Sequence, residues 1–361
     1  VPYYGSVDAT PLFLILLSEY YRWTGDVGLV REIWDAVEGA LMWLDGYGDI
    51  DGDGFVEYLR RSPVGLVVQG WKDSVNSVIF PDATLAEGAI ALAEVQGYVY
   101  DAKRRTAELC YLMDLRILGD RLNREADELK EAFNEAFWSE KDGFYVEALD
   151  GQKRQVNVMT SNPGHCLWSG IISEERVPKL VEQMLAPDMF SGWGIRTMAA
   201  ESPVYNPMSY HNGTIWPHDN SLIIKGMADH GYKEGVITLF DALFQASLQF
   251  PYYRLPELFC GFARMGELDR PVPYPVACSP QAWAAGTPFL LLQSALGIQP
   301  DAPNNALRIV QPTLPTWLDE IHVRGVRIKD TTLDLQFIQS NGVTTARVVN
   351  KRGKAKVLIE G

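Results

Sequence analysis

Thr10-Pro11-Leu12-Phe13-Leu14-Ile15-Leu16-Leu17-Ser18-Glu19-Tyr20-Tyr21-Arg22-Trp23-Thr24, then Gly25, then Asp26–Leu44, is the stretch that decides the fold. Its apolar residues recur at three-and-four spacing, the period of an amphipathic helix, and Pro11 suits a first helical turn. Gly25 interrupts the pattern. Val30, Ile33, Val37, Leu41 and Leu44 then resume it. The same alternation continues through Asp82–Leu118, which Gly97 is expected to divide, and through Asn123–Trp138, Gly164–Ile172, Glu175–Leu185, Asn220–His230, Lys233–Phe250 and Ser279–Leu296. Between these lie loops rich in Gly, Asp, Pro and aromatic residues. Helix, short turn, helix and long decorated loop together suit a toroid of paired helices, in which inner helix ends and their loops form one pocket. About ten helices can be counted, whereas a closed six-pair barrel has twelve. The chain opens at Val1-Pro2-Tyr3-Tyr4 with no Met. The expectation is a fragment of a longer protein, an all-α ring that lacks its first helix pair.

From about Ala306 the period changes to two. Leu307–Val310, Ile321–Val323, Val326–Ile328, Leu333–Phe337, Thr345–Val349 and Lys356–Ile359 read as short strands. The Pro-rich stretch Pro300–Pro315 overlaps the change. The expected organisation is a helical catalytic domain over residues 1–298 and a small β-rich appendage over 299–361.

The 361 residues are 47% hydrophobic and 22% charged, an ordinary globular composition. No apolar run reaches the roughly 18 residues of a membrane span, and no signal peptide opens the chain. With 46 acidic against 32 basic residues the net charge is −14, which repels phosphate backbones and excludes nucleic acid as a natural partner. A neutral sugar is not repelled. Cys110, Cys166, Cys260 and Cys278 are widely spaced, and the five histidines contain no H-E-x-x-H, so neither a disulfide framework nor a catalytic metal is expected. Reduced thiols point to the cytoplasm. No cofactor is called for.

Ten Trp and 16 Tyr are many, and several stand beside Gly, Asp or Asn rather than within apolar runs. Aromatic faces pack on the apolar faces of sugar rings, although most of these residues serve equally well as plain core. Glycoside hydrolysis needs two carboxyl groups flanking one bond, an acid for the leaving oxygen and a base or nucleophile opposite. Three segments set acidic groups among aromatics and amides. In Gln69-Gly70-Trp71-Lys72-Asp73-Ser74, Gly70 allows close backbone approach, Trp71 offers a platform, and Asp73 lies on a loop where it would otherwise be a helix cap. In Leu255-Pro256-Glu257-Leu258-Phe259-Cys260-Gly261-Phe262, Glu257 is a carboxylate in an apolar frame, whose structural alternative is an ion pair with Arg254 or Arg264. Tyr210–Asn220 packs His211, Asn212, Trp216, His218 and Asp219 into eleven residues, the density of a pocket wall. Asp49-x-Asp51-x-Asp53-Gly54 copies the start of a calcium loop, with Glu57 ninth, but Arg60 stands where the twelfth-position Glu belongs. A Gly/Asp turn feeding the Asp73 loop is the simpler reading.

Gly-Trp-Lys-Asp-Ser, His-Asn-Gly-Thr-Ile-Trp-Pro-His-Asp and Pro-Glu-Leu-Phe, with Tyr4–Thr10 and Gly192–Thr197, resemble bacterial amylo-α-1,6-glucosidase and glycogen debranching sequences from residue 4 to about 298. The resemblance implies an (α/α)₆ barrel, inversion at the anomeric carbon, Asp73 as general acid and Glu257 as general base. It implies a pocket for the terminal sugar of an α-glucan, shaped by Tyr4, Asp8, Trp71, Lys72, Trp193, Arg196, His211, Asn212, Trp216, His218 and Asp219. Such an acid must hold its proton, so Asp73 is expected to be raised by burial beside Trp71 and by Glu257, with Lys72 turned away or paired with another acid. The transferase domain of eukaryotic debranching enzymes is absent from this sequence. The same fold with another sugar is the closest rival: a trehalase, invertase, mannosylglycerate hydrolase or rhamnosidase-like enzyme. A phosphorylase would not need Glu257, and a terpene cyclase would need an Asp-Asp-x-x-Asp cluster, which does not occur. A non-catalytic glucan-binding fragment would show surface aromatics without converging carboxylates.

Overall fold

The structure, a computed structural model, describes residues 5–360, so Tyr4 lies outside the described residues. Helix makes up 40% of the chain. The α-helices are α1 (Ala9–Thr24), α2 (Val27–Glu32), α3 (Trp34–Met42), α4 (Ala93–Leu112), α5 (Arg116–Ala136), α6 (Asn162–Ser169), α7 (Val177–Leu185), α8 (Pro217–Asp229), α9 (Lys233–Ser247) and α10 (Ala282–Ala295). Gly25 closes α1 in the left-handed region at φ 66°, with its N–H bonded to the Tyr21 carbonyl. Asp26 then caps α2 by accepting from the Leu29 N–H at 3.2 Å. Two residues, Gly25 and Asp26, therefore both stop and restart the helix.

Two expected helices are corrected. Asp26–Leu44 breaks at Ile33, and α3 runs into a π turn at Trp43–Gly48. The apolar periodicity crosses that break because Val30, Val37, Leu41 and Leu44 are all buried, so spacing alone could not report it. Asp82–Leu118 is not divided at Gly97. Its first part is loop and a short strand, α4 runs through Gly97 unbroken, and the division falls at Met113–Leu115. Gly97 serves packing instead: a Cβ there would lie 2.6 Å from Ser169 Oγ of α6.

The helices form two rows. α1 packs on α4, α4 on α6, α6 on α8 and α8 on α10, while α3, α5, α7 and α9 back them from outside. Burial follows the rows. α5 buries one stripe, Gly119, Leu122, Ala126, Leu129 and Phe133, at three-and-four spacing. α4 and α8 are covered on most faces and bury polar side chains, among them Glu94, Gln96, His218, Asp219 and Asn220. Inner helices that hide carboxylates and imidazoles are not explained by core packing alone.

Short strands decorate the loops: β1 (Ala91–Leu92) pairs with β4 (Ala148–Leu149), and β2 (Trp138–Ser139) with β3 (Phe144–Tyr145). After α10 come β5 (Ile298–Asp301), β6 (Ala306–Val310), β7 (Glu320–Ile328), β8 (Thr331–Ser340), β9 (Val343–Arg352) and β10 (Lys356–Glu360). They form two three-stranded sheets, β10-β6-β5, with β6 and β10 parallel, and the antiparallel β7-β8-β9. The two short runs expected around Gly325 are one strand with an irregular register between Val323 and Val326. A core of Leu307, Ile309, Ile328, Leu333, Leu335 and Phe337 joins the sheets, with Trp23 of α1 packed against it. Among the described residues no helix is long and apolar enough to cross a membrane.

The Asp49–Glu57 loop is organised around an ammonium group. Lys153 Nζ lies 3.0 Å from Asp51 Oδ2 and 2.6 Å from Asp53 Oδ2 and also pairs with Glu57. Asp49 accepts from the Gly52 and Gly54 N–H groups at 2.7 and 3.0 Å, which makes it the hub of a Gly/Asp turn.

The closeness of the inner row can be tested at Gly226 of α8, where a Cβ would stand 2.5 Å from both Leu167 Cβ and the Trp168 backbone nitrogen. Gly226→Ala should cost about 1–3 kcal/mol in urea unfolding, the scale of overpacking. Gly286→Ala in α10, whose Cβ meets nothing within 4 Å, should be neutral or stabilising by up to about 1 kcal/mol.

Candidate active site

The Gln69–Ser74 loop is held at its start by the Val7 N–H, which donates to the Gln69 carbonyl at 2.9 Å. Gly70 passes so near β1 that a Cβ would lie 2.3 Å from Leu92 Cδ1. Trp71 follows, buried against four rings: His165 stacked at 5.8 Å, and His211, Trp216 and His218 edge-on at 5.8, 5.6 and 4.9 Å. The buried Lys72 ammonium lies over the Trp71 ring, 5.4 Å from its centroid. That ammonium donates to the Thr197 carbonyl at 2.9 Å and stands 3.4 Å from Glu147 Oε1. Burial pushes Glu147 up to about 7 against the pull of Lys72. Asp73 is then left at the surface of a cavity, raised above the usual carboxylate range by partial burial and by the negative charge of Glu257.

Glu257 is 6% exposed, yet pairs with neither Arg254 nor Arg264. Tyr210 Oη donates to its Oε1 at 2.8 Å, and the Cys278 N–H donates to its Oε2 at 2.9 Å. Two backbone bonds between Ile215 and Phe259, at 2.9 and 3.0 Å, align this segment with Tyr210–Asn220. The Arg264 guanidinium covers the Trp193 ring at 4.4 Å.

Tyr210–Asn220 connects the two carboxylate segments. Beside the Tyr210–Glu257 bond, His211 Nδ1 meets Ser74 Oγ at 2.8 Å and accepts from the Ser74 N–H at 3.3 Å, while Asn212 donates to the Asn76 carbonyl at 2.7 Å. Trp216 Nε1 donates to the Tyr210 carbonyl at 3.0 Å, which folds the segment on itself. Pro217 then opens α8. His218 stacks on Trp283 of α10 with centroids 4.0 Å apart and planes 4° apart. Asp219 lies fully buried with its Oδ1 2.7 Å from His165 Nε2.

These elements surround a cavity of about 540 Å³, within the range of small-molecule sites. All five inner helices contribute: Asp8 opens α1, and Tyr98, Trp168, His218 and Trp283 come from α4, α6, α8 and α10. Asp8 accepts from Ser6 Oγ, and burial raises its carboxyl above the usual range. A second depression of about 720 Å³, lined by Trp43, Tyr47, Arg60 and Arg61, adjoins it through Gly5, Ser6, Leu66 and Gln69.

Asp8, Trp71, Asp73 and His218 therefore line the cavity. His211 and Trp216 lie behind Trp71 in its wall, Asn212 is tied to Asn76, and Asp219 lies behind His165. Three expected binding residues, Lys72, Trp193 and Arg196, are not brought there, and Glu257, the expected base, is not among the residues lining this cavity. Trp193 packs with Ile215, Phe250, Leu255 and Phe259. Arg196 is 2% exposed and donates to the Gly261, Pro187 and Asp188 carbonyls at 2.7, 3.0 and 3.1 Å. Trp193 and Arg196 both brace the Glu257 segment rather than the cavity. Tyr98, His165, Trp168, Tyr210 and Trp283 were missed as site residues. Tyr210 begins the motif that flagged its neighbours, whereas the other four sit in helices whose spacing reads as core.

The match to known proteins agrees with this geometry. Residues 5–251 match the family described as the mannosylglycerate hydrolase MGH1-like glycoside hydrolase domain. Among solved structures, a sialidase superposes with a TM-score of 0.69 at 14% identity, covering 94% of this chain and 31% of its own. A GH78 family rhamnosidase of Bacillus sp. GL1 superposes with a TM-score of 0.65 at 16% identity, covering 97% of this chain and 32% of its own. The chain thus spans about a third of the length of either, and these likenesses concern the fold.

The buried imidazoles give the site a stability signature. Burial lowers His211 to about 2 and His218 to about 3. In the unfolded chain each would titrate near about 6.5. The unfolded state therefore binds more protons below that pH, so the stabilisation is complete above about pH 6.5 and is lost progressively as pH falls. Urea unfolding from pH 7 to 5 should show stability dropping with acidification by up to about 1.4 kcal/mol per pH unit for each histidine. His218→Gln should have a visibly shallower slope, and an unchanged slope would remove His218 from this account.

Proposed function

We propose that this chain, which belongs to the mannosylglycerate hydrolase MGH1-like family of glycoside hydrolases, forms the catalytic part of an inverting glycosidase that removes a terminal sugar. The observation that carries this reading is the pairing of Asp73 and Glu257. One is a carboxyl kept above its usual range at the cavity surface, the other a carboxylate near enough for its charge to contribute to that rise. Asp73 supplies the proton for the leaving oxygen. Glu257, held by Tyr210 and the Cys278 N–H, accepts a proton from the attacking water. Trp71, Trp168 and Trp283 offer ring faces to the sugar, and Asp8, Tyr98 and His218 offer polar atoms. The adjoining depression gives the leaving portion room to extend past Ser6 and Gln69. A raised carboxyl at an aromatic cavity, with a second carboxylate near enough to act on it, favours catalysis over a non-catalytic glucan-binding fragment.

The helical part is read as an (α/α)₆-type ring over residues 1–298 with an appendage over 299–361. The two end members of the inner row, α1 and α10, both rest on β5. Leu16 of α1 is 68% exposed and Phe289 of α10 is 76% exposed, apolar surface that one further helix pair would cover.

The sugar is proposed as the terminal glucose of an α-1,6 branch, following the motifs shared with amylo-α-1,6-glucosidases. A mannosylglycerate is the second reading, favoured by the description of the family to which residues 5–251 match. Hydrolysis of isomaltose, panose, a limit dextrin, maltose, trehalose and mannosylglycerate, compared side by side, separates the two.

On whichever substrate is cleaved, Asp73→Asn and Glu257→Gln should each remain folded and lose about two to four powers of ten in turnover. Undiminished hydrolysis by Glu257→Gln would remove that residue from the mechanism. Activity should fall on the alkaline side as Asp73 loses its proton, with that limb displaced above the ordinary carboxylate range. An NMR time course should show the first-formed sugar with inverted configuration, and a retained anomer overturns the inverting assignment.

A further inference from the structure

Behind the cavity wall, three buried side chains form a line that the two-carboxylate chemistry does not use. Asp219 Oδ1 lies 2.7 Å from His165 Nε2, and His165 Nδ1 lies 2.6 Å from Tyr98 Oη. Asp219 is 0%, His165 1% and Tyr98 3% exposed. They come from α8, α6 and α4, three consecutive members of the inner row. Only Tyr98 reaches the cavity, where Asp8 shares the wall.

The order of donors and acceptors along this line follows from what each group can offer. A carboxylate only accepts, so Asp219 takes its hydrogen from His165 Nε2, and in the neutral ring Nδ1 is then the acceptor. Tyr98 then donates its hydroxyl hydrogen to Nδ1. Burial, and after it the charges of Glu94 and Asp8, keep that phenol protonated. With its one hydrogen committed to the rear, the phenol oxygen faces the cavity as an acceptor only. Trp71, stacked on His165 with planes 20° apart, keeps the imidazole from turning.

We propose that Tyr98 is a specificity-determining residue whose phenol oxygen accepts a hydrogen bond from one ring hydroxyl of the bound sugar, with that polarity set by the His165–Asp219 pair behind it. This rests on the reading of the cavity as the terminal-sugar pocket. The ligand class follows: sugars that carry a hydrogen-donating hydroxyl at this position are accepted. Sugars with hydrogen or fluorine there leave a buried acceptor unpaired and are rejected. His165 and Asp219 act through Tyr98 and are positioning residues.

The test measures binding of glucose, mannose and their monodeoxy and monodeoxyfluoro analogues by NMR titration of the full chain. Fluorine cannot donate, so the wild type should bind the deoxy and the deoxyfluoro analogue at one ring position equally badly, about ten- to a hundredfold weaker than the parent sugar. Tyr98→Phe keeps the ring and should bring parent and analogues together at that position while the other positions keep their ranking. Asp219→Asn is the second variant. Its amide can accept from or donate to Nε2, so the hold on one imidazole tautomer is lost and the Tyr98 hydroxyl is free to donate in a share of the molecules, and the deoxyfluoro analogue should gain on the deoxy analogue. A merely structural role would weaken all ligands alike and move neither ratio. If the wild type binds neither sugar, the terminal-sugar reading falls and takes this inference with it. If it binds with discrimination that both variants leave intact, the inference alone is overturned.

Discussion

The ammonium of Lys72 is the constraint on which the site depends. It is buried at 3% exposure, 2.9 Å from the Thr197 carbonyl and 3.4 Å from Glu147. An ammonium so deeply placed is costly unless partnered, and Lys72 in turn pulls down the buried Glu147 carboxyl, which burial pushes up to about 7. Their pairing fixes the backbone on either side. Trp71 and Asp73, the residues on either side of Lys72, are both left facing the cavity. Thr197 carries the constraint onward: its hydroxyl accepts from the Gly213 N–H at 2.8 Å and its N–H donates to the Thr214 carbonyl at 2.9 Å. The post that holds the acid loop thus also holds the segment that orients Glu257.

This linkage explains why residues far apart in the chain meet within hydrogen-bonding distance. His211 to Ser74, Asn212 to Asn76 and Tyr210 to Glu257 are three bonds from three consecutive residues to two separate loops. Buried bonds of this kind contribute modestly when made and cost more when one partner is missing. The arrangement therefore favours a single geometry over neighbouring ones, as a reaction needs when its two carboxyl groups must flank one bond.

The inner helices serve both packing and chemistry. Gly97 and Gly226 let α4, α6 and α8 approach closely. That closeness lets Tyr98, His165 and Asp219 reach one another across three helices. The same helices carry Glu94, whose carboxyl is raised by complete burial and meets Asn162 Nδ2 at 3.0 Å. Polar groups at this depth reduce stability unless paired, and their concentration beneath one cavity distinguishes this end of the helical part from the plain apolar stripe of α5.

The sequence by itself determined the helical character of the first three hundred residues and the β character after them, because both periods are local and survive in any register of packing. It also singled out three segments that the fold joins by hydrogen bonds, since Gly-Trp-Lys-Asp-Ser, the Tyr210–Asn220 run and Leu255–Phe262 each crowd polar and aromatic residues where a core would not. It could not separate cavity-lining residues from supporting ones. Trp193 and Arg196 have the same local company as Trp71 and Asp73, and only long-range contacts send the first pair to brace a loop and the second to the cavity. Nor could it find Tyr98, His165, Trp168 and Trp283, which sit at helical positions indistinguishable by spacing from core. The direction of such a side chain depends on which helix lies opposite, and that is fixed by the tertiary packing of α4, α6, α8 and α10 rather than by any pattern within one of them.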